Sequence, residues 1–310
     1  MSITSIIKLS LLAVRILAAL ASPIEAIGDE VVQTPAGLFP KSKVHAVPEG
    51  ARLHQSPREV QIIAANGTVI HSRPYTPSKT ALGLPGGPPS SSLTTTAQRE
   101  LQSNWVAYAY WDYSTTATPI AFFGTDWTVP AAPTSWDGQL LYWFNGLQPG
   151  GWNEILQPVL QYGISPAGGG NIFAIASWWL VGLEVYHSGI MEVFPGTELQ
   201  GHMALTGIST SDSVTTYSYS SYFPGYSIPT INASTTHVLS VASEVLEIYN
   251  AQTVSDLPSG STDFTAVDIK FNDNSHMSTI PWTVVNDATD GISMSVISYS
   301  GTDGHLRLTY

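Results

Sequence analysis

The chain predicts an all-β fold, a two-sheet antiparallel β-sandwich, on three observations. Short apolar stretches alternate with polar residues and are cut by Gly, Pro, Asn and Asp. Ser, Thr, Tyr and Trp are plentiful while Lys and Glu are scarce, the usage of strands and turns rather than surface helices. No stretch carries a convincing amphipathic helix of three turns. Short strands pair antiparallel because that needs no long crossover. Two curved sheets with an aromatic-lined concave face are expected.

Charge divides the 310 residues in two. Of 11 Lys and Arg, only Lys270 and Arg307 lie beyond residue 99, where most of the 23 Asp and Glu fall. The first part is basic and the rest strongly acidic, with a formal net charge of −12 for the whole. A body nearly free of ammonium and guanidinium groups loses few ion pairs when its carboxylates protonate, the charge logic of work in acid. It also excludes nucleic acid as a partner, since phosphates need cations. No cysteine is present, so disulfides, thiolate nucleophiles and Cys metal sites are excluded.

Residues 1–21 read as a signal peptide. Lys8 precedes a mostly apolar run, and Ala19-Leu20-Ala21 fits a small-x-small cleavage site, although Arg15 interrupts the run. A membrane span needs about 20 uninterrupted apolar residues, so a secreted, extracellular protein with no membrane partner is expected. The sequons at Asn66 and Asn232 are candidate glycosylation sites.

Residues 22–99 read as a basic pro-segment and flexible linker. Val60 to Ile70 is its one hydrophobic stretch, with Asn66-Gly67 as a turn. Pro77 to Ala97 has linker composition, too poor in large apolar side chains to fold alone. Such a segment would be held to an acidic body partly by opposite charge and released by acid or proteolysis; a plain spacer is the alternative.

Residues 100–310 form the sandwich domain. Trp105, Ala107, Ala109 and Trp111 share one face of a first strand. Further strands are expected at Phe123 to Val129, Leu140 to Phe144, Leu156 to Tyr162 and Ile172 to Tyr186. Others follow at Met203 to Gly207, Val214 to Ser221, Thr235 to Val241, Val245 to Tyr249, Thr265 to Phe271 and Ile292 to Tyr299.

Chemistry concentrates in the middle. Gln157 and Gln161 interrupt an apolar run, where a buried amide must find partners. A glutamine facing a cleft can orient water or stabilise an oxyanion through its NH2; a structural glutamine is the alternative. Pro158 between them leaves their faces open, because a strand proline can mark a bulge. Tyr142, Trp143, Trp152, Trp178 and Trp179 could line a peptide or sugar subsite, or simply fill the core. Glu184 beside them could carry a raised pKa, or be an ordinary surface glutamate. The histidines form no HExxH, and only a meeting of His187 with His202 or weak calcium binding at Asp287 to Asp290 would make a metal site. No G-x-S-x-G elbow is present.

The order of segments resembles the secreted fungal glutamic peptidases of the eqolisin type, whose fold is a concanavalin-like sandwich. LQSNWVAYAY and FGTDWTVPAAP resemble that family's first strands, and YWFNGL its W-V-G-I-D-G strand, with Asn145 near an expected acid. VLQYG resembles its Leu-Gln-x-Gly segment, which implies Gln161 as catalytic glutamine with Gln157 as register alternative. SGIMEVFPGTELQGHMALTG, Ser243 to Glu247 and FTAVDIKF resemble later segments. The resemblance implies two seven-stranded antiparallel sheets, a removable pro-segment, no cofactor, and amide hydrolysis in acid by a glutamine and a glutamate. Where a W-Y-E-W-like strand carries an acid, this chain has Trp179 or Leu180. Glu184 is the nearest replacement, with Glu154 and Glu192 as others. Trp105, Asp126, Tyr142, Asn145, Trp178 and Trp179 are the implied substrate-binding residues.

Three functions follow as expectations. The first is an acid endopeptidase acting on peptide or denatured protein. The second is a catalytically silent binder of peptide or glycan. The third is a polysaccharide hydrolase or lyase, for which a glycosidase needs two suitably spaced carboxylates. Nothing in the sequence signals an oligomeric state.

Overall fold

The structure is a computed structural model and describes residues 29–77, 104–286 and 291–310. The signal peptide, most of the linker and the Asp287 to Asp290 run lie outside the described residues. The N-terminal region contributes six strands: β1 (Val31–Thr34), β2 (Gly37–Pro40), β3 (Val44–Ala46), β4 (Arg52–Gln55), β5 (Glu59–Ile63) and β6 (Val69–Pro74). Eight strands open the remainder: β7 (Asn104–Asp112), β8 (Ile120–Thr128), β9 (Leu140–Gln148), β10 (Glu154–Ser165), β11 (Gly168–Val181), β12 (Glu184–His187), β13 (Met191–Val193) and β14 (Glu198–Ser211). Seven complete it: β15 (Val214–Phe223), β16 (Tyr226–Thr235), β17 (Val241–Tyr249), β18 (Ser261–Phe271), β19 (Thr283–Asn286), β20 (Ser293–Ser298) and β21 (Gly304–Thr309).

Two large sheets face each other. One has nine strands in the order β19-β7-β17-β9-β10-β11-β12-β3, with β13 also on β11. The other has ten, β20-β21-β18-β8-β14-β15-β16-β4-β5-β6. Trp127, Trp143, Trp179, Phe123, Met203 and Leu246 are among the side chains packed between them. Burying aromatics of this size contributes the largest share of the sandwich's stability.

The sandwich departs from its expected form in specific ways. The sheets have nine and ten strands rather than seven each; the N-terminal region adds β3 to the first and β4, β5 and β6 to the second. Two pairings are parallel, β3 on β12 and β4 on β16. A parallel pair needs a long connection, and these partners lie 141 and 180 positions apart at Lys43–Glu184 and Gln55–Thr235. Ile172 to Tyr186 is two strands, divided by a tight turn where Gly182 has φ +61°. Thr235 to Val241 is mostly a loop; the strand lies before it at Tyr226–Thr235, where Pro229 and Asn232 hide the alternation. A bulge where Leu246 pairs with Ala107 but Glu247 with Trp105 turns Trp105 away from the face of Ala107 and Ala109.

Pro158 does not shift β10. Leu156 opposite Leu147 and Val159 opposite Phe144 keep one register; only the ladder contacts between them are missing, as expected where proline has no N–H. Ile155, Gln157, Val159 and Gln161 therefore share one face of the nine-stranded sheet.

Candidate active site

The outer face of the nine-stranded sheet is apolar. Tyr108, Tyr142, Phe144, Val159, Trp178, Val245 and Tyr249 pack there as one cluster, with Trp105 beside them. A sheet face of this kind needs a cover. Here the cover is the N-terminal region itself: Ala36, Phe39 and Val44 pack against the cluster.

The β1–β2 hairpin enters this groove tip first. Thr34 and Pro35 at its turn are buried, whereas Val31 and Leu38 on its strands are 59% and 60% exposed. Loop tips ordinarily show the opposite gradient. The turn is closed by Ala36 N–H to Thr34 O at 2.7 Å and Thr34 Oγ1 to Gly37 O at 2.9 Å. Groove side chains then grip the turn by its main chain. Tyr142 Oη donates to Gln33 O at 3.3 Å and Tyr249 Oη to Thr34 O at 3.4 Å. Gln157 Nε2 donates to Pro35 O.

Glu247 completes the grip. It lies on β17 on the same face as Val245 and Tyr249 and is fully buried. Burial pushes its carboxyl up to about 8, against hydrogen bonds from Tyr249, Trp105 and the Gly37 amide. The close hydrogen bond comes from Tyr249 Oη to Oε1; among the described residues, Oε2 has no partner that close. Gln157 and Glu247 thus meet one two-residue turn from two strands, the amide at the Pro35 carbonyl and the carboxyl beside the Gly37 N–H.

The sequence-derived residues distribute unevenly around this point. Gln161 shares the groove face, but its amide is taken up by its own hairpin: Nε2 donates to Gly163 O and Gly168 O at 3.0 Å, and Oε1 accepts from Ser165 at 2.9 Å. Trp105, Tyr142 and Trp178 line the groove. Trp179 faces the opposite way, its Nε1 donating to Glu154 at 2.9 Å. Asn145 points between the sheets and donates to Gly201 O at 2.9 Å. Asp126 lies on β8 of the other sheet, accepting from Gln200 at 3.1 Å. Glu154 is buried with Thr235 at 2.9 Å and His237 at 2.6 Å, and Glu192 is exposed. Asn66 and Asn232 are both exposed.

Glu184 serves a different contact. Lys43 Nζ lies 2.5 Å from its carboxylate, His45 Nε2 2.7 Å and Arg73 Nε 3.9 Å. Burial pushes this carboxyl upward, and the hydrogen bonds and charges of His45 and Lys43 overcome that and hold it below its usual value. All three bases come from the N-terminal region. The basic-to-acidic attraction expected from composition is thus concentrated on one carboxylate.

His187 packs on Trp178 at the groove sheet, and His202 on Phe122 and Tyr222 at the other, so the two do not meet. Among the described residues no group of three or more His, Asp or Glu is arranged to hold a metal ion.

Glu247 was missed by sequence reasoning as a groove residue. The signal was present in Val245, Glu247 and Tyr249, whose alternation puts all three on one face of β17. Glu244 on the opposite face is the counterpart that draws attention away. It is buried between the sheets, accepts from Thr125, and burial raises its pKa well above the usual range.

Among solved structures, that of Scytalido-glutamic peptidase with a peptide-based transition-state analog is similar. The sequence identity is 16%, the match covers 67% of this chain and 98% of that chain, and the TM-score is 0.44. No protein-family model matches the chain, and no curated protein matches it.

Proposed function

We propose that this protein is a secreted acid endopeptidase of the glutamine–glutamate type, with Gln157 and Glu247 as its catalytic pair. The observation that carries the reading is the hairpin tip. A peptide already occupies the groove, its Pro35 carbonyl receiving the Gln157 amide beside the Glu247 carboxyl. The substrate class is peptide or denatured protein.

The chemistry follows from those two groups. The Gln157 NH2 donates to a substrate carbonyl and stabilises the oxyanion that forms on water addition. Glu247, when ionised, takes a proton from that water and returns it to the leaving nitrogen. With the hairpin seated, burial keeps Glu247 protonated at neutral pH and unable to act as a base. With the hairpin withdrawn, water reaches the carboxyl and its pKa falls toward the ordinary carboxylate range, so it ionises in mild acid. Tyr108, Phe144 and Trp178 supply an apolar wall that strengthens both interactions.

A silent peptide binder is the second reading, favoured by the same four main-chain contacts, which hold a turn without need of hydrolysis. Product formation separates the two. The chain is incubated with a denatured protein at pH 2–7 and fragments are read by mass spectrometry. New termini in acid, lost in Gln157→Ala and Glu247→Gln, support the peptidase. Saturable binding of substrate to the hairpin-free groove without any new terminus refutes it in favour of the binder.

A further inference from the structure

We infer that the groove recognises peptide as a preformed tight turn inserted tip first, and prefers the uncharged tip of a hairpin to an extended strand. The inference rests on the reading above that the groove takes peptide from outside the chain, and it names the shape of that peptide. Three consecutive carbonyls carry the argument. Gln33 O accepts from Tyr142 Oη at 3.3 Å, Thr34 O from Tyr249 Oη at 3.4 Å, and Pro35 O from Gln157 Nε2. The donors stand on β9, β17 and β10, neighbouring strands of one sheet. In an extended chain successive carbonyls point to opposite edges. Such a chain offers one wall at most two carbonyls of any three; a bent chain offers all three.

The turn carries its own restraints. Ala36 N–H donates to Thr34 O at 2.7 Å, an i→i+2 bond centred on Pro35. Proline fixes φ at about −65°, close to the roughly −75° of an inverse γ-turn. Thr34 Oγ1 donates to Gly37 O at 2.9 Å, and Gly37 has φ +119°, a region glycine enters most readily. Thr34 O thus uses both lone pairs, one on Ala36 and one on Tyr249. A ligand that already holds this shape loses less conformational entropy on binding.

The same contacts set the chemistry of the occupant. Thr34 and Pro35 are buried, and Ala36 packs against the aromatic cluster. A charge at the two buried positions would be desolvated beside that cluster without a partner. Val31, Leu38 and Pro40 on the strands are exposed, so the groove reads residues 33–37 and little beyond them. The fitting partner is a hairpin tip of small, uncharged residues on the surface of a folded protein.

The experiment compares two forms of a synthetic peptide copied from Val31 to Pro40. Those end residues face each other across the hairpin. With Val31→Cys and Pro40→Cys a disulfide closes the first form, and alkylation of the same thiols leaves the second linear. The groove is opened in the full chain by Thr34→Trp, whose indole exceeds the fully buried threonine site. That change lies in the separate two-stranded sheet, outside both large sheets, and near-UV circular dichroism checks the fold. Calorimetry at about pH 4 should show the closed form binding about tenfold or more tighter than the linear one. Equal affinities, a tighter linear form, or no binding of either overturns the inference. Should Thr34→Trp fail to fold, Gly37→Ala in the otherwise native chain decides. The atom nearest to its added Cβ is on the Phe39 ring at 3.9 Å, so the change perturbs the turn without crowding it. Exchange of the Ala36 amide should accelerate about tenfold or more; unchanged exchange overturns the inference. Mass spectrometry of the same mixtures separates this claim from the peptidase reading. Tight binding of the closed form with no new terminus leaves the turn preference standing and counts against the peptidase. Cleavage of both forms with equal affinities overturns the preference and leaves the peptidase intact.

Discussion

Glu247→Gln keeps the shape of the side chain and removes its proton equilibrium. In the folded protein, burial pushes this carboxyl up from 4.5 to about 8. The folded state then holds a proton that the unfolded chain has released, so stability falls as pH rises from 4.5 toward 8. Each unit in that interval costs about 1.4 kcal/mol. Between pH 4.5 and 7 the loss is on the order of 3 kcal/mol, and the side chain is fully buried, so solvent screening removes little of it. Glu244 shifts in the same direction but is present in both proteins and cancels. The assay is urea unfolding followed by tryptophan fluorescence at about pH 4 and pH 7. The native chain should lose about 3 kcal/mol more than Glu247→Gln between the two. Equal losses, within about 1 kcal/mol, would refute the reasoning, for the carboxyl would then be ionised and wet beneath the hairpin.

Two further outcomes follow from the same contacts. Glu184→Gln should weaken the hold of the N-terminal region by on the order of 1 kcal/mol at neutral pH, the modest size reflecting the 39% exposure of Lys43 and Arg73. Because the folded pKa of Glu184 lies below its ordinary value, its contribution is present at neutral pH and lost as pH falls through that folded value. Hydrogen exchange at Val44–Ala46 should therefore accelerate in the variant at pH 7 and converge with the native chain in strong acid; identical exchange at pH 7 would count against it. Gly169→Ala should lower stability by about 1–3 kcal/mol, since φ is +109° and an added Cβ would press on Gly163 O and lie 2.6 Å from Gln161 Nε2. Gly170→Ala, with nothing within 4 Å, should melt nearer to the native temperature; equal melting of the two variants would show that Gln161 and its turn yield freely.

Much of the sandwich was readable in the chain because strand alternation is local. Most of the expected strands from Phe123 to Tyr299 find a counterpart, and the Val60 to Ile70 stretch is a hairpin with Asn66 and Gly67 between its strands. What failed was what alternation does not encode. Trp105 changes face through a bulge, and Tyr226–Thr235 hides behind its proline and asparagine. Both glutamines could be seen, but choosing between them depends on what each amide meets. For Gln161 that is a carbonyl two residues away; for Gln157 it is a carbonyl 122 positions away. Only the fold reveals the second. Glu184 looked like a relocated catalytic acid because it follows the tryptophans closely; its partners, Lys43 and His45, are more than 130 positions earlier. Long-range pairing sets the partners in both cases, and no periodicity reports it.

The parallel pairings of β3 and β4 also set an order on how the protein is made. These strands leave the ribosome early, yet their partners at Val185 and Asn232 are synthesised far later. With Gln55 and Thr235 180 positions apart and elongation at about 5–20 residues per second, the wait is roughly 10–40 s. Until then β4, β5 and β6 have only one another and no facing sheet to bury their apolar side. The hairpin that enters the groove is thus translated early and seated late, for Tyr249, which holds its Thr34 carbonyl, follows it by 215 positions.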